Sequence, residues 1–196
     1  MPLNRLAGEL AQQAVADSKA LSKSEVAIAG SLPPQNGSYR PDLVLQREII
    51  EPLYRRQAEL LAPYVDVFLC DTMSTIDEAL AAVPAVADFR HPVLVGFTLD
   101  DEKPGCLRSG ESLQNALAQM QALAPAGVMA NCCLPERISD AMPLLSAAGF
   151  DYCGGYANAF TCVPKDWLLG GNKENDGRLE LRKDLSPDCY AEFVAD

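Results

Sequence analysis

Cys132 is the side chain of this sequence best equipped for chemistry, because a thiolate serves either as a nucleophile or as a ligand for a soft metal ion. Asp71 offers a carboxylate, and Ser31, Thr72, Thr98, Asn131, Tyr156 and Asn158 offer hydrogen-bonding groups. Each lies just after a short apolar run. Gathered at one end of a sheet, they would form a polar pocket holding one thiol and one carboxylate. Taken singly, Ser, Thr, Asp and Asn at such places also cap the helices that follow, and a Cys there also serves as a small core residue.

Other chemistries lack their parts. His91 is the only histidine, which excludes a two-histidine zinc site and leaves one candidate imidazole for any Ser-His-Asp or Cys-His mechanism. It precedes an apolar run, next to Pro92, where a structural role is the expectation. Lys19, Lys23, Lys103, Lys165, Lys173 and Lys183 fall in helical or polar stretches, so no Schiff-base lysine stands out. The pair Cys132-Cys133 is a weak metal signal, since neighbouring side chains in an extended segment point apart and no CxxC repeat accompanies it.

The elements that must hold these residues alternate between helix and strand. Apolar runs at 25–30, 65–70, 92–97, 127–130 and 150–154 read as five buried strands. Helical spacing covers about 1–20, 44–62, 75–87, 111–123 and 136–147, and Ser186-Pro187 opens a last helix as N-cap and N1. Pro52 should kink or divide the second of these. Strands joined by helical crossovers imply a parallel sheet, whose chemistry collects at the carboxyl ends of its strands. The first strand ends in Gly30-Ser-Leu-Pro33, which is no glycine-rich dinucleotide loop and turns the reading from a Rossmann sheet towards a barrel.

Composition bounds the rest. The 196 residues form one expected domain, 1–196, and a complete eight-fold barrel of about 250 residues would be tight. A hydrophobic fraction of 48% supports a packed core, whereas the net charge of −11 leaves no basic patch for nucleic acid or anionic membranes. No run approaches the ~20 apolar residues of a membrane span, and the amphipathic start carries no signal-peptide core, so a cytoplasmic location is expected. Seven cysteines, an odd number without a secretory signal, are expected to stay reduced.

Read in order, the strand ends resemble the homocysteine S-methyltransferase family. The matching pieces are Val26-Ala-Ile-Ala-Gly-Ser-Leu-Pro-Pro34 with Gly37-Ser-Tyr-Arg-Pro41, then Phe68-Leu-Cys-Asp-Thr-Met73 with Glu78-Ala79. Gly127-Val-Met-Ala-Asn-Cys132 with Pro135, Gly155-Tyr-Ala-Asn158 and the closing 185–193 follow collinearly. The resemblance implies an α/β fold of the (β/α)₈ barrel type, represented by about five of the eight units, the third to seventh strands. It also implies transfer of a methyl group to the thiol of homocysteine, giving methionine.

In that family a zinc ion is held by three thiolates, one from an Asn-Cys motif and two from a Gly-Gly-Cys-Cys motif. Here Asn131-Cys132 matches the first, so Cys132 is the implied metal ligand, and the paired cysteines are absent from this chain. Asp71 takes the place of the acidic residue that recognises the substrate amino group, where Glu, longer by one methylene, is common. Thr72, Ser31, Asn131 and Asn158 are implied to line the same pocket. The expected partners are homocysteine and a methyl donor, with no nucleic acid and no membrane, and two open sheet edges imply a homo-oligomer or a completing segment. Two other readings stand beside this one. The chain is a non-catalytic remnant or assembly module of the same barrel, or an unrelated barrel enzyme using Cys132 and Asp71.

Overall fold

The computed structural model describes residues 2–18, 25–168, 170, 171 and 176–195. Five strands, β1 (Ala29–Leu32), β2 (Val67–Met73), β3 (Val93–Thr98), β4 (Gly127–Asn131) and β5 (Tyr152–Tyr156), pair in parallel in the order of the chain. Between them run helices α2 (Arg47–Leu61), α3 (Ile76–Val86), α4 (Leu113–Leu123) and α5 (Pro135–Ala147), with α1 (Pro2–Ser18) before the sheet and α6 (Pro187–Ala195) after it.

Strict sequential order separates this sheet from a doubly wound one. Crossovers of one hand that always step the same way put every helix on one face, and the other face curls inward as in a barrel. Burial follows that division. Leu32, Phe68, Cys70, Val95, Phe97, Val128 and Ala130 alternate along the strands, face the helices and are fully buried. Each large apolar side chain in that layer contributes about 1.5–3 kcal/mol by leaving water. On the other face, Val67, Leu69, Leu94 and Met129 are only half-buried. This is a partial barrel of the expected type, five strands of it.

Local chemistry explains the boundaries. Thr75 and Glu78 form a reciprocal capping box at the start of α3, and the Ser112 hydroxyl accepts from the Asn115 amide to open α4. Of the expected kink or division at Pro52, division does not occur: α2 runs on through it. The carbonyl that Pro52 leaves without a donor belongs to Glu48, and both residues are exposed, so water can take the bond. β1 starts later than the apolar run, because Ile28 is already engaged with Asp66 through N–H to Oδ2 at 2.8 Å. In α1 the expected helix forms over the described part, but Leu3, Leu6 and Leu10 are 76%, 50% and 60% exposed. Gly8 faces inward instead, so close to Tyr64 that a Cβ there would lie 2.3 Å from the ring. Met1, Lys19 and Ala20, which the expected first helix included, lie outside the described residues.

Candidate active site

β2 carries one extra residue against β3. Cys70 pairs with Val95 and Met73 with Phe97, so three steps on one strand match two on the other, a β-bulge. Bulges re-aim side chains, and this one places Asp71 and Thr72 inside the strand end rather than in the loop after it. Thr72 takes a left-handed backbone (φ 61°), and so does Cys132 at the end of β4 (φ 54°). Non-glycine residues in that region each cost of order 1–3 kcal/mol and persist where their surroundings hold them.

Those surroundings are visible. The Asn131 amide Nδ2 donates to Asp71 Oδ1 at 2.8 Å, and it also lies 2.9 Å from Thr72 Oγ1 and 3.1 Å from the Tyr156 hydroxyl. Tyr156 donates to the same Asp71 Oδ1, as does Thr72 at 3.3 Å. The Thr72 hydroxyl also reaches the Cys132 sulfur at 3.5 Å. Below, Asn158 Nδ2 and Thr98 Oγ1 donate to the Cys132 carbonyl at 2.8 and 3.2 Å, and the Cys132 amide donates to Tyr156 O. Three strand ends are thus tied into one polar cluster, with Asn131 fully buried at its centre.

Two features give the cluster a direction. The hydrogen bonds to Asp71 all land on Oδ1, so among the described residues no protein donor reaches Oδ2. Asn131 Oδ1 is a buried acceptor with no partner, and it rests over Gly96 of β3, where a Cβ would sit 2.9 Å from it. Gly96 is therefore the space into which the amide fits. Burial and the bond to Asp71 push the Tyr156 hydroxyl above the usual tyrosine range.

The two adjacent cysteines part company here. Cys132 is half-buried in the cluster, while Cys133 is 1% exposed and turns into the helix-covered layer, where burial pushes its thiol up to about 12. Cys70 behaves alike, also raised to about 12 by burial. All seven cysteines are unpaired, as expected for reduced thiols.

Of the residues proposed from the sequence, Asp71, Thr72, Asn131, Asn158 and Cys132 come together. Ser31 does not join them: it lies on edge strand β1 opposite Leu69, exposed, and its hydroxyl makes no bond to the cluster among the described residues. His91 sits at the other end, its ring edge-on to Phe68 and Nε2 3.2 Å from Ala62 O, in the structural role foreseen. A cavity of about 710 Å³ opens beside it at the strand amino ends, remote from the thiol. A cavity of about 400 Å³ lies instead on the carboxyl side, between Tyr39, Arg40, Asp100, Arg108 and Lys165. We take the latter as the relevant one, because parallel sheets present their reactive groups there.

Tyr39, Gly96 and Arg108 are site residues that the reading of strand ends missed. Tyr39 stands in the loop after β1 with φ 66°, its ring beside the Arg108 guanidinium, and burial pushes its phenol above the usual tyrosine range. The one signal available was the breaker-rich stretch Gly37-Ser-Tyr-Arg-Pro41.

A zinc site of the closed kind needs three or four thiolate, imidazole or carboxylate ligands at one point. Among the described residues no three of His, Cys, Asp and Glu are so placed. Around Cys132 the near groups are hydroxyls and an amide, which are poor zinc ligands. The residues present do not by themselves fit a three-thiolate zinc.

A family profile described as homocysteine S-methyltransferase matches residues 1–196. The homocysteine methyltransferase MmuM from Escherichia coli is similar in fold. Its metallated form superposes with a TM-score of 0.66 at 21% identity, over 82% of this chain and 67% of that one. The apo form gives 0.61 at 20% identity, over 82% and 70%. No curated protein matches the sequence significantly.

Proposed function

We propose a function from one premise: this chain belongs to the homocysteine S-methyltransferase family. That is a family of methyltransferase enzymes, and its members' acceptor is the thiol of homocysteine. For this chain the proposal is that Asp71 Oδ2 receives the ammonium group of homocysteine. Oδ1, saturated by Asn131, Thr72 and Tyr156, fixes the carboxylate, and the substrate sulfur is directed to the Cys132 side of the cluster. The observation that carries it is the half-satisfied carboxylate beside a half-buried thiol at the mouth of the partial barrel. A half-buried carboxylate with one oxygen left without a protein donor is suited to a cationic donor.

In the transfer, the homocysteine thiol gives up its proton to water and its sulfur forms a bond to the donor methyl carbon. The donor's bond to that carbon breaks, with the electron pair leaving on the donor atom. An activated, onium-type methyl group fits this balance, and methionine is the product. Methionine biosynthesis and a cytosolic setting follow from the same proposal, the latter supported by seven unpaired thiols. Among the described residues no helix is long and apolar enough to cross a membrane.

Zinc enters the proposal in one place only. Cys132 is the ligand this chain offers, and two thiolates from outside the described residues would have to join it. The open edges support the same need for completion. β5 is exposed over most of its length, with Tyr152 64% accessible, and the leucines of α1 face outward. We read residues 1–196 as one domain that a further segment or a second copy completes.

The test supplies the purified chain with homocysteine and a labelled sulfonium or quaternary-ammonium methyl donor. Label in methionine, lost in Asp71→Ala and Cys132→Ala, is the expected result. No transfer from either donor class would favour the remnant reading. Metal analysis of the same sample should show far less than one zinc per chain, and a full equivalent lost in Cys132→Ala would contradict the fit argument.

A further inference from the structure

The cavity of about 400 Å³ lies between the loops that follow β1, β3 and β5, and four basic side chains line it: Arg40, Lys103, Arg108 and Lys165. Its size falls within the range of about 300–1,000 Å³ usual for small-molecule sites. In a chain of net charge −11, four bases around one cavity call for an explanation. Three acids, Asp42, Asp100 and Asp166, share the lining. What decides the character of the site is which of these charges already have partners.

The acids around it are largely engaged. The two oxygens of Asp42 accept from Arg40 Nε and Nη2 at 2.7 and 2.6 Å. Asp100 Oδ1 accepts from the Glu102 and Lys103 amides at 2.8 and 3.1 Å. Asp101, the acid beside Arg108, accepts from the Leu134 amide on one oxygen and the Val163 amide on the other, at 2.9 and 3.1 Å. The bases keep open donors. Arg108 has a side chain only 5% exposed; its Nη2 donates to Val163 O and Pro164 O at 2.5 and 2.7 Å, and its Nε approaches Tyr39 O at 3.4 Å. Its Nη1 meets only Asp101 Oδ2, at 3.7 Å, which is beyond hydrogen-bond length. Lys165 Nζ stands 3.9 Å from both Asp100 Oδ2 and Glu102 Oε2. Lys103 Nζ has no acceptor among the described residues. A guanidinium taken out of water with donors open is costly unless an anion reaches them.

We infer that this cavity is a second binding site, for a small organic dicarboxylate. One carboxylate sits on Arg108 Nη1 within, and the other lies between the exposed Lys103 and Lys165 at the mouth. Tyr39 supplies an apolar wall for the carbon chain between them, its ring 5.7 Å from the guanidinium and edge-on to Trp167 at 5.4 Å. The cavity shares no side chain with the Asp71 cluster, so the inference is independent of the homocysteine reading.

Calorimetric titration of the full chain with succinate tests it. Butyrate, with one carboxylate, inorganic phosphate, and 1,4-diaminobutane, of opposite charge, are titrated beside it. Succinate should bind once per chain and more tightly than butyrate or phosphate, and the diamine should give no saturable heat. Lys103→Gln combined with Lys165→Gln should weaken succinate roughly ten-fold, and Arg108→Lys at least as much. Lys183→Gln, which removes an exposed charge outside the cavity, should leave binding unchanged. Thermal unfolding reports whether each variant folds, and should Arg108→Lys fail to fold, the pair of exposed lysines decides. No saturable succinate binding, equal affinity in the lysine pair and the wild type, or an equal loss in Lys183→Gln would overturn the inference. Butyrate or phosphate binding as tightly as succinate would overturn the dicarboxylate assignment.

Discussion

The two faces of the sheet are built on opposite principles. The face towards the helices is apolar and closed, with Phe68, Phe97, Val95 and Val128 fully buried. The inner face at the strand ends is polar and under tension, with two left-handed residues, a bulge and a buried amide oxygen without a partner. Cys132 and Cys133 are neighbours in sequence and belong to different faces. The outer layer supplies the stability that lets the inner one hold strained backbone in place. Substitutions on the outer face should therefore alter stability first, and those on the inner face the site first.

The largest effect belongs to Phe97→Ala, which opens a cavity in the outer layer. It should cost about 3–5 kcal/mol in denaturant unfolding. A loss well below that would mean the closed face is less closed than described. Gly96→Ala, one residue earlier and on the inner face, forces a methyl against the Asn131 amide. We expect about 1–3 kcal/mol from overpacking, together with faster alkylation of Cys132, which Phe97→Ala should not reproduce while folded. The cysteines give the sharpest contrast. Cys133→Ser buries a hydroxyl and should cost about 1–3 kcal/mol, whereas Cys132→Ser should stay within about 0.5 kcal/mol. Equal costs would erase the distinction between the faces.

The smallest effect is a slope. Glu78, 3% exposed under the cap of α3, is held above the usual carboxyl range by burial, which outweighs the Ser74 and Thr75 donors. Its pKa in the folded state exceeds that in the unfolded chain, so folding takes up a proton between the two values. Its stabilising contribution is complete below the unfolded pKa of about 4.3 and is lost as pH rises through the folded one. Stability measured across that window should fall with pH in the wild-type chain, and the fall should be absent in Glu78→Gln.

Most strands were legible because an apolar run bounded by breakers leaves few alternatives. β3 and β4 lie within about a residue of their expected bounds, and the sequential topology follows from regular crossovers. The site was legible in part. Asp71, Thr72, Asn131, Asn158 and Cys132 sit at strand ends, where chain position alone says they meet. The bulge in β2 was not legible, because one extra residue shows only in the pairing with β3. Tyr39 and Arg108 were hidden for a related reason: each comes from a loop, and their contacts span 69 residues of chain. Ser31 shows the opposite case, since a strand end on an edge need not reach the central cluster.

Homocysteine binding to the chain, measured by calorimetry without added metal or donor, tests the central claim most directly. The wild-type protein should bind one homocysteine. Asp71→Asn should weaken binding by roughly 10- to 100-fold, equivalent to about 1.5–3 kcal/mol for a charged hydrogen bond. An analogue that keeps the thiol and lacks the amino group should bind both proteins alike. Equal homocysteine affinity in the wild type and Asp71→Asn, or no binding to the wild type, would contradict the account.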